Sequence, residues 1–404
     1  MKTILLIAAV ATLSAQTPAP DRLLSALADR SLAQQLSRLK TDDRIGVYDE
    51  LLKSKPENLH YPVLLASAYI QKMRETTDFT YLDRASKLLD AVVNADGNNY
   101  EALRLRSEIE LERHEFARVA EDSLRLTKVA PDDPWNWGTL GDALIEMGDY
   151  DHAADAYQKM VSLRPDLSSY NRAAYYRFLV GDVDGAVSVM QKAIDAGSPS
   201  SENTAWCMVD LGNFYLKTGK FVDAERSYTT ALRVFPGYHP AYAGLGKAQS
   251  AQRDRKAAIA SFLRAQSITP LPDYAAALYD LYTAEGKTQE AQKQMDLVDL
   301  IDKMAQANNE KLNRNLAMIY ADHDRKLDRA LALAQAEMDV RKDIYSYDAL
   351  AWALYKNKRY EEADKAMGNA LKLGTPEPSF AHHARLIASA LGKKPEVAEA
   401  RETR

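Results

Sequence analysis

The strongest constraint in this 404-residue chain is a pattern of small and large residues that recurs about every 34 positions. Counting from Ala205, Gly212 stands at place 8, Ala224 at 20, Tyr228 at 24, Ala231 at 27 and Pro236 at 32. Counting from Pro134, the same places hold Gly141, Ala153, Tyr157, Met160 and Pro165; counting from His239, they hold Gly246, Ala258, Phe262, Ala265 and Pro270. A helix face that packs on one neighbour carries large apolar residues. Small residues at fixed intervals instead mark places where backbones approach, with the aromatic at place 24 filling the wider gap beside the crossing of places 8 and 20. Gly148 and Gly219, at place 15, suit the left-handed residue that ends a helix. Proline at place 32 stops the next one, because it lacks an N–H and clashes with the preceding turn.

This spacing, with Trp137 and Leu140-Gly141 in the unit from Pro134, resembles the tetratricopeptide repeat family, a helix–turn–helix unit. The resemblance implies an all-α fold: an α-solenoid of about nine antiparallel helix pairs in a right-handed superhelix. It runs from about residue 42 to 400. Units 134–166, 205–238 and 239–271 carry the signature; units from Leu167, Pro272, Glu310 and Ile344 keep mainly the spacing. Leu65, Ala66 and Tyr69 suggest a first helix A joined to 85–92 by a longer insert, 74–81. After Pro378 only Ala384, Ala388 and Gly392 remain of a final unit. The expected layout is therefore a leader over 1–15, a linker and capping helix over 16–41, divergent repeats over 42–133, well-matched repeats over 134–271, and weaker repeats with a C-terminal cap over 272–404. The cap at the start is an amphipathic helix over 21–40, with Leu23, Leu24, Leu27, Leu32 and Leu36, since an end unit must cover exposed apolar surface.

The leader is read from Lys2, the apolar run from Ile4 to Leu13, and Ala15 ahead of a polar, Pro-containing stretch. It points to export, to a periplasm or the medium. Cys207 is the only cysteine, so no intrachain disulfide forms. The net charge of −5 contains no block of five like charges, and a concentrated basic patch for nucleic acid is missing.

Catalytic motifs return near misses. Gly286-Lys287-Thr288 ends like a phosphate loop, but Leu281 stands where its first glycine belongs. His114-Glu115 begins like a zinc-protease helix, but Arg118 replaces the second histidine. His382 and His383 are adjacent and point about 100° apart on a helix. No enzyme, cofactor or metal is expected.

In the resembled family the helices A line a concave face, and places 2, 5, 9, 12 and 13 meet the ligand. Carried onto this chain, these are Trp135, Asp142 and Ile145; Asn171, Tyr175 and Phe178; Trp206, Asn213, Leu216 and Lys217; Lys247; and Tyr345, Asp348, Trp352 and Tyr355. The carboxylate clamp of chaperone-binding members needs Lys and Asn at places 5 and 9. It is missing, because Val209 accompanies Asn213 and Ala243 accompanies Lys247. The expectation is a protein- or peptide-binding scaffold in assembly or secretion at the cell envelope. The alternatives are a glycan or small-ligand binder, which a tightly wound array with a narrow channel would favour, and an accessory subunit of an envelope enzyme.

Overall fold

The computed structural model describes residues 36, 39–308 and 312–393, so the expected leader, most of the capping helix and the last residues lie outside it. Among the described residues there are twenty α-helices and no strand. The chain divides into two compact units, 1–105 and 106–404, and each is described by itself.

In the first unit, α1 (Thr41–Ser54), α2 (His60–Thr76) and α3 (Thr80–Ala95) pack in sequence, and α4 (Tyr100–Glu112) begins here. Leu36, Tyr48, Leu65 and Ala68 share one core. Ala66 and Ala85 are fully buried where α2 and α3 pack together. The expected insert at 74–81 is mostly helix: α2 runs on to Thr76 and α3 starts at Thr80, with left-handed Thr77 between them.

The second unit continues α4 and adds α5 (Phe116–Val129), α6 (Pro134–Glu146), α7 (Tyr150–Leu163), α8 (Leu167–Leu179), α9 (Val183–Asp195), α10 (Glu202–Lys217), α11 (Phe221–Val234), α12 (His239–Ala251) and α13 (Arg255–Ile268). It ends with α14 (Pro272–Ala284), α15 (Thr288–Ala307), α16 (Arg314–Asp322), α17 (Leu327–Val340), α18 (Ile344–Lys356), α19 (Tyr360–Ala370) and α20 (Pro378–Ala390). Even-numbered helices from α6 to α18 are the A helices of successive pairs. Their starts are set locally: Asp133, Asp166, Ser201, Asn313 and Asp343 each accept a backbone N–H of the first turn, and Pro134 and Pro272 fill positions where no donor is needed.

The glycines at place 8 are explained differently from the expectation. A Cβ added to Gly212 would lie 2.5 Å from the Tyr228 ring, and one on Gly246 would lie 2.7 Å from Phe262. The nearest atoms thus belong to the aromatic at place 24, not to the small residue at place 20. Gly244 meets the same ring atoms of Tyr228, so one fully buried ring packs against glycines of both α10 and α12. Helix α15 continues unbroken to Ala307.

The second unit also turns back on itself. Ile145, Tyr150, Tyr157 and Leu179 share a core with Ile344, Leu354, Met367 and Phe380. The last helix pairs are therefore packed on α6–α8, far earlier in the chain.

Candidate binding face and its seam

Along the A helices, carboxylates recur and each is gripped by a donor from the neighbouring pair. Asp142 of α6 receives Arg172 of α8, with Nε at 2.8 Å and Nη2 at 2.6 Å, and the Tyr157 hydroxyl at 2.9 Å. Asp210 of α10 receives Asn171 Nδ2 at 3.3 Å and its own helix's Trp206 Nε1 at 2.8 Å. Asp273 of α14 receives Asn315 of α16 at 3.0 Å, and Asp280 lies 3.0 Å from His323 Nε2. Asp322 of α16 receives Trp352 Nε1 of α18 at 2.7 Å, and Asp348 of α18 lies 2.8 Å from His383 Nδ1 of α20. Acids that look scattered in sequence are thus the rungs of a ladder between A helices. Bonds to charged partners are the stronger kind and fix the angle between successive pairs.

Burial acts on these groups. It pushes the Asp210 carboxyl up to about 6, against the hydrogen bonds from Asn171 and Trp206 that favour the charge. Asp273 and Asp348 are raised for the same reason, while the hydrogen bond that His323 donates to Asp280 raises His323. His239, packed beside Tyr274, is pushed down to about 4 by desolvation.

The expected contact residues divide. Trp135, Asn171 and Asn213 are half-buried, and Asn213 accepts the Tyr228 hydroxyl at 2.8 Å. Trp206 is 39% exposed and Lys247 is exposed. Asp142 is committed to Arg172. Four residues must be corrected. Phe178 is 1% exposed and stacks on Phe214 at 4.5 Å, and Trp352 is 4% exposed between Tyr355 at 5.0 Å and His383 at 4.1 Å. Both rings are core through their immediate neighbours: Phe178 packs among α8, α9 and α10, and Trp352 among α16, α17, its own helix and α20; Asp348 and Ile145 are buried as well.

Tyr175, Lys217 and Tyr345 meet where the last helix pairs pack on the earlier ones. Lys217 Nζ lies 2.7 Å from Glu377 Oε2 and 3.2 Å from the Tyr345 hydroxyl, and 5.6 Å over the Phe178 ring. The Lys342 amide donates to the Glu146 carbonyl at 2.8 Å, and the Ile344 amide donates to the Tyr150 hydroxyl at 2.9 Å. Thr375 donates its hydroxyl to the Leu179 carbonyl at the end of α8. Arg341 lies 5.0 Å over the Phe116 ring. A cavity of about 20 Å³ remains among Glu146, Tyr150, Tyr175, Arg314, Asp343 and Tyr345. Burial pushes the Glu146 carboxyl up to about 7, opposed by Arg341 and Arg314, and desolvation pushes His114 down to about 4. Glu146, Arg172, Arg314, Asp343, Thr375 and Glu377 were not singled out from sequence, and His383 stood out only as one of an adjacent histidine pair. The acids that recur on α6, α10, α14, α16 and α18 were the one available clue; nothing periodic marks the seam residues.

Among the described residues, no group of three or more His, Cys, Asp or Glu side chains is placed to hold a metal ion. No described helix is long and apolar enough to cross a membrane.

The tetratricopeptide repeat family model matches residues 139–201 and 209–275. No curated protein matches the sequence. Among solved structures, the APC/C hetero-tetramer Cut9–Hcn1 is similar, with 17% identity, 90% of this chain and 69% of that one covered, and a TM-score of 0.51. PilW, a widely conserved type IV pilus biogenesis factor, is similar at 18% identity over 52% of this chain and 93% of that one, TM-score 0.43. YrrB, a repeat protein with an unusual peptide-binding site, is similar at 13% identity over 48% and 96%, TM-score 0.33. The first of these likenesses agrees with the helical-repeat fold.

Proposed function

We propose that this α-solenoid, whose segments 139–201 and 209–275 are tetratricopeptide repeats, is a non-catalytic scaffold that binds an extended segment of another protein. The binding surface would be the A-helix face that the seam leaves open, from α10 to α16. The observation that carries this reading is Trp206. Its ring is 39% exposed on an A helix, while its indole N–H is held 2.8 Å from Asp210. A large ring fixed in orientation before a partner arrives loses little entropy on binding, which is why such rings serve as anchors. Exposed Lys247 on the next A helix adds a charge to the same surface.

A glycan or small-ligand channel has less support. The cavity within the closure is about 20 Å³, whereas ligand pockets run to roughly 300–1,000 Å³. The place of action would be the cell envelope, supported by the apolar run from Ile4 to Leu13 behind Lys2. The test is crosslinking in intact cells followed by capture of the full chain and identification of bound proteins. Wild type is compared with Trp206→Ala and Lys247→Ala, each checked by circular dichroism. The expected result is one enriched protein whose yield drops with Trp206→Ala. Enrichment that both variants leave untouched, or no enrichment from a folded chain, would sink the reading. Fractionation with sequencing of the mature N-terminus checks the location separately.

A further inference from the structure

The connection between α19 and α20 is seven residues, 371–377, against three at 164–166, 269–271 and 341–343, four at 130–133 and 235–238, and six at 196–201 and 308–313. It does not simply pass from one helix to the next. Lys372 Nζ lies 4.7 Å over the Tyr150 ring, Thr375 is buried and bonds the Leu179 carbonyl, and Glu377 reaches Lys217 at 2.7 Å. Between these anchors Gly374, at φ +68°, faces open space. The segment is irregular chain laid across the ends of α8 and α10. Each anchor there is one that an extended peptide would use. A helix-terminal carbonyl lacks an internal partner and accepts an external donor. A half-buried ammonium between aromatic rings accepts a carboxylate.

We propose that residues 371–377 are a built-in occupant of the binding face. They would hold the α8–α10 end closed until an extended partner segment carrying a carboxylate replaces Glu377 on Lys217. This rests on the reading of the A-helix face as the binding surface, and it adds the partner's chemistry and a resting, self-occupied state. Lys217 selects the charge: with Glu377 displaced, the ammonium beside Phe178 and Tyr345 would be left without its carboxylate in a poorly hydrated place. A neutral or basic segment would leave that cost unmet.

The test needs no native partner, so its failure is separable from failure of the capture experiment. A fluorescein-labelled peptide of residues 371–378 is titrated into the full chain and into the full chain with Thr375→Ala and Glu377→Gln, reading anisotropy. The expected result is binding to the double variant at least about tenfold tighter than to wild type. Adding Lys217→Ala should return it to the wild-type level, as should a peptide with glutamine in place of its glutamate. Equal binding to both chains, or none to a folded variant, would overturn the proposal. If the double variant does not fold, Glu377→Gln alone carries the comparison. If that too fails to fold, the segment is a structural brace and the proposal is wrong.

Discussion

The backbone amide of Lys342 donates to the carbonyl of Glu146 at 2.8 Å, joining positions 196 residues apart. Two turns meet there, and Gly148 lies against the Lys342 carbonyl so closely that an added Cβ would overlap it. Gly219 has the same backbone, φ +77° against +76°, but faces open space. Alanine at either site meets the left-handed penalty of about 1–2 kcal/mol. Gly148→Ala should lose a further 1–3 kcal/mol or so from overlap at the seam. Urea unfolding of both variants checks this, and equal losses would show that the seam contributes nothing.

Glu146 should make stability fall as pH rises. Its carboxyl titrates near 7 when folded, against 4.5 for the ordinary group, because burial outweighs Arg341 and Arg314 while Asp343 and Asp142 add to the shift. Below about 4.5 both states hold the proton and nothing is lost. Between 4.5 and 7 the unfolded chain ionises first, so the cost grows; above 7 it is complete. His114 acts on the other side: with a folded value near 4 against 6.5, it costs stability as pH falls from 6.5 to 4. Thermal unfolding of Glu146→Gln and wild type at pH 5 and pH 8 should show a gap that opens in the variant's favour at pH 8, on the order of 1–2 kcal/mol. A gap of the same size at both pH values would contradict the assignment.

Tyr228, fully buried against Gly212 and Gly244, makes those glycines interdependent. Either Gly→Ala change should cost about 1–3 kcal/mol, since an added methyl overlaps the ring. The double variant should depart from the sum by at least about 0.5 kcal/mol, because both methyls push one side chain. Strict additivity, read from chemical denaturation, would mean that the ring has another way out.

Two tryptophans that look alike in sequence should behave oppositely. Trp352, stacked between Tyr355 and His383, should lose about 3–5 kcal/mol when changed to alanine. Trp206→Ala should cost about 1 kcal/mol or less, mostly the bond to Asp210, and should act on partner capture. A binding loss from Trp352→Ala in a chain of undiminished stability would reverse the assignment.

The paired helices were legible because their packing repeats. Gly141, Gly212 and Gly246 recur at one place opposite Tyr157, Tyr228 and Phe262, and recurrence is visible in one sequence. Gly244 has no counterpart in the neighbouring units; it answers to one ring, not to the period. Phe178 and Trp352 occupy family contact places, yet the chain buries them, since the outcome depends on which rings the adjacent helices present, Phe214 on α10 and His383 on α20. Contacts such as Lys217 with Glu377 or Thr375 with Leu179 join residues that share no spacing rule. The ladder of carboxylates was hidden for another reason: Asp210, Asp273 and Asp322 sit on A helices like ordinary solvated acids until their partners are placed beside them.

The seam also sets an order on synthesis. A chain made from its N-terminus completes Glu146, Tyr150 and Leu179 long before Lys342, Ile344 and Thr375 exist. At about 5–20 residues per second, the 196 positions between Glu146 and Lys342 take on the order of 10–40 s to emerge. During that interval the apolar flank of α6–α8 is finished but uncovered, and only the last helices can cover it. A transcript cut short after α17 would yield pairs that each fold locally while leaving that flank open, a product suited to capture by chaperones and proteases.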